Sequence, residues 1–348
     1  MADSTSLDDR LVDRLTERLR TSSRVASSDF KMTTGDIGIL KSTLLPSFGL
    51  YSGLSLATFI AAETTTRVEL KDWLWPSGQV INAWWSAVGR PMHETGISFS
   101  DAWASVSWTQ KLLLGGVTLW GARLFARIAS RSLARGKDDP RYDAVKKEPG
   151  FWKSALFKIF LPEAFVLSLI SLPITMPFSM GETTLPLSLN SLGTVRALGV
   201  GLFSAGFALE VLADTQLELH RRERDDLCRH GIWSVVCHPN YLGDTLVHLS
   251  FAVLNLADSF NPIMFLGPVA NYAFLRFIGG DKQTEESQEV RYQVNDPHKY
   301  QQLKQWRQEK NSFWPSVRDL INPWALAVVG CGLIGVVVEE MLRTTFTA

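Results

Sequence analysis

Residues 237–257 read CHPNYLGDTLVHLSFAVLNLA. The first eight positions hold an imidazole (His238), an amide (Asn240), a phenol (Tyr241) and a carboxylate (Asp244), beside a proline and a glycine that restrict the backbone. From Leu242 onward the run is mostly apolar. A lipid-facing helix gains nothing from such a cluster. A site that grips a polar molecule at a membrane surface would.

Outward from that junction, apolar residues collect in long blocks and charges in the gaps. A helix needs roughly 20 consecutive apolar residues to cross a bilayer, where no water satisfies the backbone. Seven stretches qualify or come close: 42–62, 106–127, 154–177, 194–213, 242–257, 262–279 and 323–342. The expected fold is therefore all-α, a polytopic membrane bundle of about seven transmembrane helices. Asp258-Ser259-Phe260-Asn261-Pro262 makes the fifth and sixth a tight hairpin. Lys and Arg number seven in 1–41, seven in 128–153, four in 214–241 and seven in 280–322, but three in 63–105 and one after 342. Because basic loops stay cytosolic, the alternation places the N-terminus in the cytosol and the C-terminus opposite. The 35 basic and 35 acidic residues cancel, so no global field favours nucleic acid.

Residues 1–35 form a polar segment in which Leu7, Leu11, Leu15 and Leu19 make one narrow stripe, either a surface helix or a membrane-surface helix. Residues 36–109 comprise the first span and a tryptophan-rich stretch, 63–105, expected to lie on the far interface or dip into it. Residues 182–193 read as a short polar turn. Residues 110–320 carry the chemistry and 321–348 a final membrane helix. No cleaved leader is expected. Cys228 and Cys237 fall in a cytosolic loop, where disulfides are rare. A zinc site from Cys228, His230, Cys237 and His238 is disfavoured because adjacent Cys-His suits tetrahedral geometry poorly.

Polar groups gather at the cytosolic ends of three spans. Arg123 and Arg127 share a helical face; they either snorkel toward headgroups or form a forked donor for phosphate. Glu210, Asp214 and Arg221 also share a face. An ionisable group inside a span costs on the order of 2.5–3.5 kcal/mol, so Glu210 and Asp214 are expected to line a wet cavity. Glu163 invites the same argument. His238 and Asn240 suit amides and phosphates, and Tyr241 can donate a proton. Asp244 either caps its helix or belongs to the site. No Rossmann or P-loop signature occurs.

These residues resemble a known family. Trp120, Arg123-Leu124, Arg127, Gly136-Lys137-Asp138 and Arg141-Tyr142-Asp143, then Ala213-Asp214, Gln216, Gly231-Ile232-Trp233 and His238-Pro239-Asn240-Tyr241-Leu242-Gly243, look like the ordered signature of steroid 5-alpha-reductase-like membrane proteins of the DUF1295 type. The block at His238 is also similar to that of sterol C14 and C7 reductases. The resemblance implies a helix bundle whose C-terminal half holds NADPH from the cytosol, with Asp214, Arg221, Asn240 and Asp244 as contacts. From their own chemistry or place in the motifs, Arg123, Gln216, His238, Tyr241 and Glu285 join the expected cofactor set. Cys237 stands where the family usually has arginine, and Gly280-Asp281-Lys282-Gln283-Thr284-Glu285 departs from its usual sequence after the sixth span.

The leading expectation is an NADPH-dependent oxidoreductase of the endoplasmic reticulum that reduces a carbon–carbon double bond in a lipidic substrate drawn from the membrane. Hydride goes to the electron-poor carbon while Tyr241 acts as the catalytic acid. Two alternatives stay open. Membrane methyltransferases using S-adenosylmethionine, such as the isoprenylcysteine enzymes, share a His-Pro-x-Tyr motif, and a non-catalytic sterol- or lipid-binding scaffold would explain Cys237. The sequence implies no metal and leaves the oligomeric state open.

Overall fold

The computed structural model describes residues 38–179, 189–258 and 261–347. The leucine stripe of the first 35 residues, most of the polar turn 182–193 and the tip of the 258–262 hairpin lie outside them. The chain divides into Met1–Lys41 and Ser42–Ala348, and the second unit holds the helical bundle. Among the described residues there is no strand.

The bundle contains α1 (Leu45–Thr65), α2 (Leu70–Trp84), α3 (Trp108–Arg135), α4 (Phe151–Ile170), α5 (Leu172–Phe178), α6 (Leu189–Glu223), α7 (Pro239–Asn255), α8 (Leu266–Phe277), α9 (Asp281–Asn295), α10 (Pro297–Glu309) and α11 (Pro323–Thr347). Prolines at the starts of α5, α7, α10 and α11 sit where the N–H would be unbonded anyway. Ser107 and Gln110 bond each other's backbone N–H groups, a capping box that starts α3. A bend of 59° separates α4 from α5.

Among the described residues, five helical runs are long and apolar enough to span a membrane, and the bent α4–α5 pair makes a sixth. Along α11, Leu326, Val329, Leu333, Ile334, Val337 and Met341 are all exposed. An apolar face of that size suits lipid, not water. The predicted fifth span differs. As α7 it is only 17 residues long and most of its side chains are buried, because α6 packs along it in the middle of the bundle.

The larger correction concerns 63–105. Helix α2 continues through a π-helical turn, Trp85–Gly89, into Arg90–Thr95. Leu70 to Thr95 therefore rises about 39 Å, enough to cross a bilayer core. At its start, the backbone N–H groups of Val68 and Glu69 donate to the Asp138 carboxylate at 3.1 and 3.0 Å, and Arg135 Nη1 bonds Glu69 Oε2 at 2.7 Å. At its far end, Arg90 Nη1 donates to the Ser42 carbonyl at 2.6 Å. The stretch runs through the bundle instead of lying across one end. Its Trp, Asn, Gln and Ser residues hide it from a hydropathy reading, yet Gln79 and Asn82 are buried against neighbouring helices.

One extra pass changes the sidedness. The end bearing loop 128–153 also holds the C-terminal ends of α1, α3 and α6. The opposite end holds Ser42, Arg90, Ser107 (bonded to Asp258), Gln110 (Nε2 to the Pro177 carbonyl, 2.9 Å) and Glu339 of α11, which accepts from Trp108 Nε1 at 2.8 Å. Ser42 and the C-terminal part of α11 thus share an end. Loop 128–153 is opposite both, so the expected pairing of the chain's start with that loop does not hold at Ser42.

Candidate active site at the charged end of the bundle

The packing of α6 on α7 brings polar groups from distant parts of the chain to one place. A cavity of about 160 Å³ opens at the charged end, walled by α2, α3, α4, α6, α7 and α8. Lys71, Asp72 and Trp75 come from α2, Arg127 and Arg131 from α3, and Glu163 from α4. Glu210 and Asp214 come from α6; Asn240, Tyr241 and Asp244 from α7; Phe274 and Leu275 from α8. Arg141 reaches in from the loop after α3.

The walls are held by ion pairs. Arg123, just behind the cavity, donates to Glu210 Oε1 at 2.8 Å and to Asp214 Oδ2 at 2.6 Å. Trp120 Nε1 adds a bond to Glu210 Oε2 at 3.1 Å. Arg127 pairs with Glu218 and donates to the Asp214 carbonyl at 2.9 Å. On the other wall, Lys71 Nζ meets Glu163 Oε2 at 2.9 Å, and Asp72 accepts from Arg141 Nη2 at 2.8 Å and from the Tyr142 hydroxyl at 2.7 Å. Burial works against the charge on Arg141, but the carboxylate of Asp72 and the neighbouring Tyr142 and Asp139 push its pKa up. The Asp244 carboxylate accepts from Asn271 Nδ2 at 2.8 Å, and His248 Nδ1 lies 2.9 Å both from that carboxylate and from the Asp244 backbone carbonyl. It is tied into the core and is more than a helix cap.

Two features are left over after this pairing. Asn240 Oδ1 is buried without a hydrogen-bond partner. Among the described residues, Arg131 at the cavity wall and Arg221 outside it have no hydrogen-bond or ion-pair partner. Arg221 stands in the mutual field of Arg131, Arg291 and Arg127. Two unpaired guanidinium ions, Arg131 at the cavity wall and Arg221 beyond it, suit an anionic ligand.

Of the residues expected from sequence, Asp214, Asn240, Tyr241 and Asp244 line the cavity, with Arg123 bracing it. The Tyr241 hydroxyl lies 3.2 Å from Thr284 Oγ1, and its ring stacks on His238 at 5.4 Å. The other four residues do not line it. His238 and Glu285 form a pair at 2.8 Å behind Tyr241. Gln216 Oε1 accepts the Ile232 N–H at 2.8 Å and pins a loop. Arg221 sits beyond the cavity. Cys237 also faces elsewhere: its sulfur lies 3.5 Å from the Lys310 carbonyl, and burial, with Glu285 nearby, pushes its thiol up to about 12.

Sequence reading missed Lys71, Asp72 and Trp75 because α2 was placed at the opposite interface. Their signal was an adjacent Lys-Asp pair directly before an aromatic run.

Neither a curated protein nor a solved structure matches the chain. A family model described as a protein of unknown function (DUF1295) matches residues 58–306, from the end of α1 through most of α10. The matched region contains every residue of the cavity, and the chain belongs to this DUF1295 family.

Proposed function

We propose that the protein is a membrane-embedded, NADPH-dependent reductase of a carbon–carbon double bond in a lipidic substrate. It rests on the resemblance of the Trp120–Gly243 motifs to steroid 5-alpha-reductase-like and sterol reductase sequences. The carrying observation is the two unpaired guanidinium ions, Arg131 and Arg221, in and beside a cavity that also offers an orphaned amide oxygen and a phenol. Asn240 Oδ1 lacks a donor, and a carboxamide N–H would supply one. Arg131 and Arg221 lack anions, and phosphates would supply them. These needs fit the two ends of NADPH, which when bound supplies hydride to the electron-poor carbon of a conjugated double bond.

The chain's own residues do the rest. Arg123 keeps Glu210 and Asp214 in place from behind. Trp75, Leu124 and Phe274 give the cavity an apolar wall for a substrate entering from the lipid. Tyr241, hydrogen-bonded to Thr284 and facing Arg131 and Arg141 electrostatically, donates the proton that completes the reduction. The charged end faces the cytosol, where the cofactor is, consistent with its basic loops; the endoplasmic reticulum is the proposed location. Titration of the detergent-purified protein with NADPH and with S-adenosylmethionine tests the reading. Saturable NADPH binding supports it. Binding of S-adenosylmethionine alone would replace it with methyl transfer.

A further inference from the structure

At the C-terminal end of α6, His220, Cys228 and His230 each present one ligand atom, and these atoms all lie within 4.8 Å of one another. His220 and Cys228 are buried. The His220 and His230 rings sit 5.0 Å apart. The three come from a helix end and the loop that folds back over it, so sequence spacing alone does not announce them.

His220 carries the decisive detail. Its Nε2 lies 3.0 Å from the Asp226 carbonyl and 3.1 Å from the Asp226 carboxylate. Only acceptors face that nitrogen, which fixes the proton there and leaves the lone pair on Nδ1. Nδ1 is buried and has no partner, although the residue is only 4% exposed. A carboxylate on one imidazole nitrogen and an open lone pair on the other is how proteins prepare a histidine for a metal ion.

The loop is held in place for this. Gly231 has φ +64°, and a Cβ there would stand 2.2 Å from Gln216 Oε1. That same oxygen accepts the Ile232 N–H, one helical turn before His220. From the other side, Gln302 Oε1 accepts the Leu227 N–H at 3.1 Å.

We propose that His220, Cys228 and His230 form a zinc site, independent of the reductase reading. Zn–S and Zn–N bonds of about 2.3 and 2.0–2.1 Å require ligand atoms about 3.5 Å apart. The trio needs to close by about one ångström, which the exposed His230 can supply. One thiolate and two imidazoles match the preference of zinc, with the fourth position open to water. The thiolate and the Asp226 carboxylate balance the dication, so the neighbouring Arg221 and Arg224 do not oppose it. The other imidazole–carboxylate group, His238 with Asp281 and Glu285, is already met by Arg276 and Arg307 and offers a cation less. Zinc here fastens the 224–238 loop to α6 and so holds the segment leading into Asn240 and Tyr241.

The test uses full-length, tag-free protein in detergent, stripped with a chelator and titrated with Co²⁺. The expected result is one ion per chain, with a thiolate-to-cobalt charge-transfer band and four-coordinate visible bands, both abolished by Zn²⁺. Cys228→Ser should remove the charge-transfer band, and the surface variant His230→Ala should weaken binding about tenfold or more. Cys237→Ser and Cys331→Ser should leave the spectrum unchanged. Zn²⁺ should raise the melting temperature of the wild type more than that of His230→Ala. A folded wild type without saturable Co²⁺ or Zn²⁺ binding, or an unchanged spectrum in Cys228→Ser, would overturn the site.

Discussion

Gly206 of α6 and Gly243 of α7 face each other so closely that a Cβ on Gly243 would stand 2.6 Å from the Gly206 carbonyl oxygen, and one on Gly206 2.8 Å from that of Gly243. The obstacles are backbone atoms, which cannot rotate away. Glu210 lies one helical turn on from Gly206 and Asp244 directly follows Gly243, so this contact carries both carboxylates into the same cavity wall.

Gly243→Ala should therefore lower stability by about 1–3 kcal/mol, the usual cost of overpacking, and disturb ligand binding. Gly115→Ala, where nothing lies within 4 Å of the added atom, should be neutral or slightly stabilising. Thermal melts in detergent read both. Equal melting temperatures for the two variants would remove the close crossing from this account.

Sidedness gives a second expectation. Thr64 and Glu94 are both exposed, at the two ends of the pair α1–α2. Single cysteines there should react with an impermeant maleimide from opposite sides of a sealed vesicle. Thr64→Cys should label with Lys137→Cys, and Glu94→Cys with Thr344→Cys. Labelling of positions 64 and 94 from one side would restore the interfacial reading of 63–105.

Arg123 braces the site from behind. Arg123→Ala leaves Glu210 and Asp214 without their shared cation in a largely dehydrated place, and breaking a buried pair typically costs about 3–5 kcal/mol. The expected outcome is a large loss of thermal stability before any ligand is added. A stable Arg123→Ala protein would mean that water reaches these carboxylates freely.

The thiol of Cys237 is buried, with its pKa pushed up to about 12. It is protonated and inert across neutral and mildly basic pH. Maleimide should not label it in folded protein between about pH 7 and 9 and should label it once the protein is unfolded. Fast labelling at neutral pH would show that this sulfur faces an open, electropositive site after all.

Long apolar runs were legible because lipid demands them: α1, α3, α6 and α11 follow directly from hydropathy. Helix α2 escaped because its neighbours satisfy its polar side chains, so its composition no longer reports its surroundings. The charge count then absorbed the missing pass without visible inconsistency. In the site, carboxylates inside spans were legible because they are costly there, and Asp214, Asn240, Tyr241 and Asp244 do converge. Gln216, two residues on from Asp214, points to the other side of α6, and Arg221, on nearly the same face, stands two turns or about 10 Å further along the axis, beyond the cavity. Lys71 and Asp72 could be placed only once the course of α2 was known, and the His220 group only once a loop had folded back.

The central claim is that Arg131 at the cavity wall and Arg221 beyond it, both left without partners, hold the anionic end of NADPH. Equilibrium NADPH binding by wild type and Arg221→Ala tests it most directly. Arg221 is exposed and makes no hydrogen bond or ion pair among the described residues, so its removal should leave the melting temperature unchanged. Loss of a charged hydrogen bond, about 1.5–3 kcal/mol, should weaken NADPH roughly ten- to 150-fold. Measurable wild-type binding with unchanged affinity in Arg221→Ala would contradict the assignment, and a wild type that binds no NADPH would contradict the proposed function.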